Sequence, residues 1–368
     1  MKKILVNASN LHVGGGVQVA ASFINELADI DVEFDLTIVV SSEVDVNLLS
    51  SVKNKYRDKY FTVDVLGMRK YTGKNQNIFS DSYDICFTIF GPIYHKTNAK
   101  VHLTGFAQPW IAYPNNLAYK KLKVKEYLKY KLEFYLKKFF FRKSDYFIVE
   151  QNHIKDALYK QGFSNNSIFT VSNCISSVYD DKDSWMKLND TLKIKEKFTL
   201  GFIGRAYLHK NLGILKDVNE ILLNRYNMDF DFLFTLTPDE MEQCGFTKLT
   251  NFKSVGKIDV KQCPSFYDRI DALIFPSLLE CFSAAPIEAM KMNKLVFASN
   301  LPFVSDVCKD AAYYFDPMDA DDIAKTIMLG AQSPELNLEK IQQGKEIVNS
   351  LPTAQDRAKN YLDILKNI

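Results

Sequence analysis

Two glutamates, Glu280 and Glu288, stand on either side of a run of small residues in LLECFSAAPIEAM, after a strongly apolar segment. The small residues open a helical pattern, so we expect Glu280 in a loop and Glu288 near the first turn of a helix. Their separation is longer than the i, i+4 spacing of neighbours on one helix face, so the carboxylates are not expected to pair. They suit two acceptors for different hydroxyl groups of one ligand, with helix N–H groups facing an anion between them.

Two cations follow another apolar run, in TLGFIGRAYLHKN. Arg205 comes directly after Gly204, and Lys210 follows a few residues later. Basic side chains at the carboxyl end of a parallel strand, near a helix start, can neutralise a diphosphate without a metal ion. On this pattern alone, solvated surface charge is an equally good interpretation.

Three consecutive glycines, Gly14, Gly15 and Gly16, separate the first apolar run from a helical pattern. Glycines at this position let the backbone approach an anion at the helix N-terminus. Their spacing does not fit the dinucleotide fingerprint, because the last glycine of that motif would fall on Val19. We expect contact with a phosphate or a sugar, and a merely flexible connection is the alternative.

Strand-like runs alternate with helical patterns along nearly the whole chain, which is typical of parallel α/β domains. The runs are almost continuously apolar, as in strands buried on both faces. The predicted strands are Lys2–Asn7, Asp35–Val40, Phe61–Leu66, Asp84–Phe90, Lys100–Phe106, Asp145–Glu150, Phe198–Gly204, Phe230–Leu236, Ala272–Ser277, Lys294–Ser299 and Ala312–Phe315.

The polar segment Ser176–Lys197 interrupts this alternation and predicts a linker. We therefore expect one Rossmann-like domain at residues 1–180 and a second at 195–350, which agrees with a length of 368 residues. A helical pattern at residues 352–368 begins with Pro352, and we expect this last helix to pack back on the first domain.

The composition excludes several classes of protein. With 47% hydrophobic and 24% charged residues, the chain is not mostly disordered. Its 46 basic and 44 acidic residues, a net charge of +2, are too balanced for a nucleic-acid binder. The 6 cysteines are scattered and predict reduced thiols. Neither a secretory signal nor an apolar stretch of membrane-spanning length is apparent, so we expect a cytoplasmic protein.

The motifs of the second half, in their order and spacing, resemble the retaining GT-B glycosyltransferases, especially family 4. ECFSAAPIE resembles their Glu-x7-Glu motif, and GFIGR…K, SVGKIDVKQCPSFYDRIDALIFPS and NLPFVSDV extend the resemblance. The first half matches mainly through its glycine loop. The resemblance implies a GT-B fold, in which two Rossmann-like domains face each other across a cleft that holds a nucleotide-sugar.

The same resemblance implies roles for individual residues. Arg205 and Lys210 would bind the donor diphosphate, Glu288 the ribose hydroxyls and Glu280 the donor sugar. Glu280, Arg205 and Lys210 would be the catalytic residues. Further donor contacts would come from Gly15, Gly16, Gly204, Gly256, Ile258, Phe282, Ser283 and Ala284, of which Gly256 and Ile258 lie against the base.

The chain departs from the family pattern at two places. Cys281-Phe282-Ser283 stands where the family usually has Gly-Phe-Gly. The small residues that the family pattern requires at these positions are therefore only partly present. The family also carries a histidine in a first-domain loop, whereas His102 here falls inside a predicted strand. We favour Gln108 and Trp110, which follow that strand, as acceptor-binding or cleft-lining residues.

Four aspartate pairs have the Asp-x-Asp spacing that binds a divalent ion in the other common glycosyltransferase fold. One follows a helix, one lies in the linker, one opens a strand and one resembles a helix N-cap. Because none directly follows a buried strand, we expect no metal and no cofactor beyond the nucleotide-sugar substrate. The pairs are Asp29/Asp31, Asp181/Asp183, Asp229/Asp231 and Asp319/Asp321.

The segment from Lys120 to Lys143 contains 10 lysines and arginines against 2 glutamates, interleaved with aromatic residues and leucines. A basic amphipathic helix of this kind suits an anionic membrane surface. A helix with an apolar core face and solvated lysines would have the same pattern, and both interpretations stay open. No nucleic-acid motif accompanies the segment.

The expected function is a retaining, metal-independent hexosyltransferase that uses a UDP- or GDP-linked sugar to extend a surface polysaccharide such as O-antigen or capsule. The acceptor would be lipid-linked or an oligosaccharide. We expect the enzyme in the cytoplasm, with residues 120–143 as its contact to the inner face of the membrane. The alternatives are a catalytically silent nucleotide-sugar-binding subunit of an assembly complex and a nucleotide-sugar 2-epimerase.

Overall fold

The computed structural model describes residues 1–67, 71–189 and 197–368. The chain divides into two compact units. The first unit consists of Met1–Pro114, Lys123–Cys174 and Pro352–Ile368, and the second of Asn115–Leu122 and Ile175–Leu351. Residues 190–196 of the predicted linker lie outside the described residues.

Each unit contains one parallel sheet. The strands of the first sheet are β1 Lys3–Ala8, β2 Asp35–Val40, β3 Tyr60–Thr62, β4 Tyr83–Thr88, β5 Ala99–Gly105, β6 Tyr146–Val149 and β7 Ile168–Thr170. Those of the second are β8 Thr199–Phe202, β9 Asp231–Phe234, β10 Phe252–Ser254, β11 Ala272–Phe275, β12 Leu295–Ser299 and β13 Tyr313–Phe315. The spatial orders are β3-β2-β1-β4-β5-β6-β7 and β10-β9-β8-β11-β12-β13.

Helices connect these strands. They are α1 Gly15–Glu26, α2 Ser42–Asp45, α3 Ser50–Lys55, α4 Pro109–Ala112, α5 Val124–Phe141, α6 Asn152–Lys160, α7 Leu215–Asn224, α8 Pro238–Gln243, α9 Cys263–Asp268, α10 Ala284–Lys291, α11 Pro302–Cys308, α12 Ala320–Ala331, α13 Pro334–Ser350 and α14 Ala354–Asn367. None of them, in the described part of the chain, is long and apolar enough to cross a membrane.

The strand order reverses once in each sheet, at β1/β4 in the first and at β8/β11 in the second. In the second sheet Ala272 of β11 pairs with Leu200 of β8 on one side and with Leu295 of β12 on the other. Connections on the two sides of such a point run in opposite directions, which opens a crevice at the carboxyl ends of the strands. The sheet order therefore marks where a ligand site is expected in each unit.

Every predicted strand run overlaps an observed strand, and the predicted α/β class with two Rossmann-like units is confirmed. The short strands β7 and β10 were not predicted. The last helix, α14, belongs to the first unit. Its Tyr361 ring packs edge-on against Phe23 at 5.2 Å and Phe87 at 5.4 Å.

Candidate active site

The second unit gathers the predicted donor-binding residues on the loops that leave its parallel strands. Arg205 and Lys210 follow β8, and Glu280 follows β11. These strands are the neighbours at which the strand order reverses. The sequence-predicted residues therefore lie where ligands bind in doubly wound sheets.

An ion pair joins the two loops. Lys210 Nζ lies 2.6 Å from Glu280 Oε1, and the two side chains are only 14% and 12% exposed. The Leu278 N–H also donates a hydrogen bond of 2.7 Å to the His209 carbonyl oxygen. Because both a side-chain pair and a backbone bond connect the loops, a cation and a carboxylate are held together at the switch point.

His209 is a third polar group at this position, which the sequence analysis did not single out. Its Nε2 lies 3.8 Å from Glu280 Oε1, and its ring stacks on Tyr207 with centroids 5.7 Å apart. Burial lowers the pKa of His209, an effect that the nearby Glu280 opposes and Lys210 reinforces. The imidazole is therefore expected to be neutral near pH 7. Nothing in its sequence environment distinguished it from a surface histidine.

Arg205 is positioned by Glu240 of α8. Arg205 Nε lies 3.0 Å from Glu240 Oε1, which also accepts a bond from the Ala206 N–H at 3.0 Å. Burial raises the pKa of Glu240, but hydrogen bonds from Thr237 and Ala206 and the charge of Arg205 outweigh it, so the net pKa is lowered. The Arg205 side chain is 42% exposed, so its outer N–H donors are accessible to an anion.

A local motif in the sequence indicates the position of Glu240. Thr237 and Glu240 form the capping box of α8, with Thr237 Oγ1 accepting from the Glu240 N–H and Glu240 Oε2 accepting from the Thr237 N–H. This Thr-x-x-Glu spacing is recognisable in a sequence. It fixes the carboxylate at the start of the helix that follows β9, from where Oε1 reaches Arg205.

Glu288 lies on α10 and faces two tyrosines. The Tyr267 hydroxyl donates to Glu288 Oε2 at 2.9 Å and also lies 3.1 Å from the Ala285 carbonyl oxygen. The Tyr179 hydroxyl lies near the same carboxyl. Burial raises the pKa of Glu288, an effect that these hydroxyls partly offset. An acceptor supported in this way suits a sugar hydroxyl as its ligand.

The backbone around these side chains offers further donors. Ser283 is the N-cap of α10, and its side chain makes no cap hydrogen bond to the first N–H groups of the helix, those of Ala284 and Ala285. Gly204 has a φ of 142°, which favours glycine, and its N–H donates to Thr235 Oγ1 at 2.9 Å. Helix N-termini of this kind bind anions.

The predicted base-binding residues follow the edge strand β10. Gly256 has a φ of 75°, and a Cβ there would meet no atom within 4 Å, so its surface is open. Its N–H donates to Ser254 Oγ at 3.1 Å. Ile258 packs partly against the core of the second unit. Since all these strands are parallel, Gly256 follows the same edge of the sheet as Arg205 and Glu280.

The first-unit candidates lie at the corresponding edge of its own sheet. Gly15 and Gly16 form the first turn of α1, directly after Gly14, whose φ is 74°. This turn follows β1 at the reversal of strand order. A Cβ at Gly15 would meet no atom within 4 Å, whereas at Gly16 it would lie 3.3 Å from Leu11 Cδ2.

The residues after β5 differ in their surroundings. Gln108 is the N-cap of α4 and is half-buried. Trp110 is buried, and its indole stacks on Phe134 of α5 with centroids 5.5 Å apart. His102 lies within β5, and its Nδ1 is 3.4 Å from Thr97 Oγ1.

The described residues contain no group of three or more histidine, cysteine, aspartate or glutamate side chains arranged to hold a metal ion. The pair Asp319/Asp321 has the local role that its position indicated. Asp319 is the N-cap of α12, and its Oδ1 accepts from the Asp321 N–H at 2.9 Å and the Asp322 N–H at 3.2 Å.

The fold is that of a known class of enzymes. Anabaena Alr3699/HepE, solved in complex with UDP and glucose, superposes with a TM-score of 0.68 at 13% identity over 100% of both chains. An identity this low shows the fold alone, which is GT-B. The predicted GT-B fold is thereby confirmed.

Sequence comparisons point to the same class of protein. Residues 183–347 match the family model described as Glycosyl transferases group 1. The chain is 25% identical over 184 residues to an uncharacterized 41.2 kDa protein in the cps region of Klebsiella pneumoniae, covering 50% of each. It is 28% identical over 132 residues to the O-antigen chain mannosyltransferase RfbU of Salmonella typhimurium, covering 34% of this chain and 36% of that one. These alignments thus span half or less of the curated relatives, and together with the fold they support a GT-B glycosyltransferase.

The raised pKa of Glu288 gives a pH prediction for ligand binding. Only the ionised carboxylate can accept hydrogen bonds through both oxygens, and burial shifts its protonation to a higher pH than that of a free glutamate. We expect the affinity for a bound nucleotide, measured by calorimetry, to fall as the pH is lowered from 8 to 5, and Glu288→Gln to bind more weakly with a flatter profile. An unchanged profile in the variant would remove Glu288 from the ribose site.

Proposed function

We propose that this chain is a retaining glycosyltransferase that transfers a hexose from a UDP- or GDP-linked donor to a growing surface polysaccharide, such as O-antigen or capsule. The observation that carries the proposal is the Lys210–Glu280 pair, which holds a phosphate-binding cation and a sugar-binding carboxylate at the switch point of the second unit. The relatives named for a cps region and for O-antigen support the surface polysaccharide.

In the proposed reaction, the anomeric C–O bond of the donor breaks while positive charge develops on the sugar and negative charge on the leaving diphosphate. Lys210, the outer N–H groups of Arg205 and the N-terminus of α10 stabilise the diphosphate. Preorganised groups of this kind supply much of the catalysis in many enzymes. Burial around the Lys210–Glu280 pair strengthens the interaction of Lys210 with the diphosphate because it excludes water.

Glu280 has a different role in this proposal. Since its Oε1 is already engaged by Lys210 at 2.6 Å, its charge is balanced, which favours an acceptor for donor-sugar hydroxyls over a covalent nucleophile. The acceptor hydroxyl attacks from the face that the diphosphate leaves. Its oxygen forms the new bond to the anomeric carbon and its proton passes to the departing phosphate oxygen, so the configuration is retained. Glu288, supported by the Tyr267 hydroxyl, accepts from the ribose hydroxyls.

The test of this function begins with thermal-shift measurements against a panel of UDP- and GDP-sugars. A donor at 100 times its dissociation constant should stabilise the protein by about 2.7 kcal/mol. The donor that binds is then incubated with and without polysaccharide acceptors. Nucleotide release only with an acceptor identifies a transferase, whereas conversion of the sugar without an acceptor identifies an epimerase. Binding without turnover identifies a silent subunit.

We also propose that the reaction needs no metal ion. Lys210, Arg205 and helix N–H groups supply the positive charge that a divalent ion would otherwise contribute. Turnover measured in excess EDTA should therefore equal turnover in its absence, with a metal-dependent transferase treated in parallel as the control. Loss of activity in EDTA and recovery with manganese or magnesium would contradict the proposal.

Val124–Phe141, the central part of the basic segment predicted at residues 120–143, forms α5 in the first unit, and this helix suits a peripheral contact with the membrane. Several of its apolar side chains are exposed, and they extend over about half of the helix circumference at 3.6 residues per turn. Exposed apolar residues interleaved with lysines are typical of helices that lie in a membrane interface. These exposed residues, which we call the apolar face of α5, are Val124, Tyr127, Leu128, Leu132, Tyr135, Leu136 and Phe139.

Some lysines of this segment are engaged within the first unit. Lys131 Nζ donates to the Pro114 carbonyl oxygen, Lys137 pairs with Glu133 at 2.7 Å, and Lys138 donates to Gln161 Oε1 at 2.9 Å. Lys125 and Lys129, by contrast, are exposed. Within α5 itself these two are the exposed lysines, so they can meet anionic lipid.

Co-sedimentation with anionic vesicles tests the membrane contact. Lys125→Gln with Lys129→Gln should lower the bound fraction at low salt, because each basic residue near an anionic surface contributes about 1 kcal/mol. Leu132→Gln with Tyr135→Gln should lower it at both low and high salt, because apolar burial is not screened. Leu338→Gln, an exposed leucine on α13 in the second unit, is the control. Equal binding of all variants would show that α5 is only a solvated helix.

A further inference from the structure

The first unit has a cavity of about 490 Å³ between the segment that precedes β5 and the end of α5. This volume falls within the range of small-ligand sites. Lys96, Asn98 and Lys143 line it and are exposed, so it opens to solvent. Ala99, at the amino end of β5, lines the cavity, whereas the glycine loop follows the carboxyl end of β1. Because the strands of this sheet are parallel, these two ends lie at opposite edges of the sheet. The cavity is therefore separate from the predicted phosphate or sugar contact of this unit.

The side chains around this cavity favour an anion. Lys96 and Lys143 contribute positive charge, and none of its lining residues, all of them in the described part of the chain, is acidic. Asp145, which follows the lining residue Ser144, has one carboxylate oxygen engaged by the backbone, since its Oδ2 accepts from the His102 N–H at 2.8 Å. Thr97 and Asn98 add polar groups suited to hydroxyls.

His95 is the most unusual of the lining residues. Both of its ring nitrogens are shielded from solvent, and neither has a hydrogen-bond partner among the described residues. The ring is held in place by Phe79, with centroids 4.3 Å apart. Buried polar atoms nearly always have a partner, so an unpartnered imidazole in a cavity wall indicates a ligand group that bonds to it.

The cavity is continuous with the apolar face of α5. Phe140 and Lys143 both line the cavity, and the Lys143 ammonium lies 4.5 Å from the Phe140 ring and 5.2 Å from the Phe139 ring. Leu132, Leu136 and Phe139 follow one another at spacings of three and four residues, which places them along one side of the helix, and Lys143 lies just beyond its C-terminal end. A membrane that covers the apolar face would thus bring its headgroups to Lys143.

We infer that this cavity binds the headgroup of an anionic phospholipid of the phosphoglycerol type. The inference rests on the proposed membrane contact of α5 and adds recognition of one headgroup to it. The phosphate interacts with Lys143, Lys96 and an N–H of His95, while the glycerol hydroxyls bond to Thr97 and Asn98. Charge attraction alone would hold the helix on any anionic surface, but a cavity with placed polar groups distinguishes headgroups of equal charge.

The experiment has a soluble arm and a vesicle arm, both on the full chain. In the first, sn-glycerol 3-phosphate and inorganic phosphate are titrated at constant ionic strength while the melting temperature is recorded. In the second, binding to vesicles with phosphatidylglycerol is compared with binding to vesicles with an equal fraction of phosphatidylserine. The variants are His95→Phe, which keeps a ring but removes both nitrogens, and Lys143→Gln. Lys125→Gln is the control for charge.

We expect saturable stabilisation by sn-glycerol 3-phosphate and tighter binding to phosphatidylglycerol vesicles. His95→Phe and Lys143→Gln should each weaken the soluble effect about tenfold, as for loss of one charge-assisted contact, and abolish the vesicle preference. Lys125→Gln should keep both. An equal response to inorganic phosphate without a vesicle preference would overturn the lipid assignment, and no saturable response would overturn the site. If α5 does not bind membranes, vesicle binding fails in all proteins while the soluble response persists.

Discussion

Lys210→Ala should lower turnover by about a hundredfold, or about 2.7 kcal/mol of transition-state stabilisation, with the fold intact. Lys210 carries one of the two charges that the leaving diphosphate would meet, and its partner Glu280 lies 2.6 Å away in a largely buried setting. The loss should fall mainly on kcat, because negative charge on the diphosphate grows in the transition state. Steady-state kinetics with the donor found by thermal shift provides the measurement.

A matched control separates this effect from loss of charge in general. Lys216 is an exposed lysine of α7 in the same unit, and Lys216→Ala should leave kinetics unchanged. Glu280→Gln and the double variant complete a cycle, in which the two losses should not add, because the residues act as a pair. Near-normal kcat in Lys210→Ala, with an unchanged melting temperature, would contradict the assignment of the diphosphate site.

Arg205, the second cation of the site, also has a carboxylate partner in the second unit. Its Nε is fixed by Glu240, so the guanidinium presents its other donors in one orientation. An arginine whose side chain is already held in place loses less conformational entropy when it binds phosphate than a solvated arginine does. The Arg205–Glu240 contact favours phosphate binding over the solvated surface charge that the sequence left as an equal alternative.

The sequence was most informative about the candidate site where a charged residue comes soon after a strand. Glu280 and Lys210 each follow a long apolar run, and the rule that ligands bind at the carboxyl ends of parallel strands places them together. Trp110 also follows a strand, and its indole packs against α5, a contact that depends on tertiary packing and that no local pattern predicts.

Contacts between residues that are far apart in the sequence could not be predicted from local patterns. Glu240 lies on α8, after β9, and it contacts Arg205 because β9 is the neighbour of β8 in the sheet. The position of His95 in the cavity lining depends on the packing of the first unit, which no local pattern predicts. Arg357, near the start of the last helix, is only 1% exposed, and no local pattern predicts this burial either.

Arg357 has polar neighbours in the first unit that explain its burial. Its Nη1 donates to Asn173 Oδ1, and Asn173 Nδ2 donates to Glu150 Oε1 at 2.7 Å. Glu150 is itself buried. Burial raises the pKa of Glu150 to about 7, although the charge of Arg357 and the bond from Asn173 both lower it. Arg357 of α14 therefore compensates a buried carboxyl that follows β6.

Arg357→Met should lower the free energy of unfolding by about 3–5 kcal/mol, because it leaves the buried Glu150 without its cation. Lys359→Met removes an equal charge from an exposed position of the same helix and should change stability little. Chemical denaturation of both variants and of the native protein provides the measurement. A loss in Arg357→Met no larger than in the control would show that the arginine is a packing residue only.

The pH dependence distinguishes lost charge compensation from lost packing. A carboxyl whose folded pKa is raised from 4.5 to about 7 favours the folded state most below pH 4.5, and that contribution is lost as the pH rises through 7. Without Arg357 the folded pKa of Glu150 rises further, so this loss extends to higher pH. The deficit of Arg357→Met should therefore be larger at pH 8 than at pH 5, and adding Glu150→Gln should recover part of it at pH 8. A deficit that is constant with pH would assign the whole effect to packing of α14, because packing contacts do not titrate.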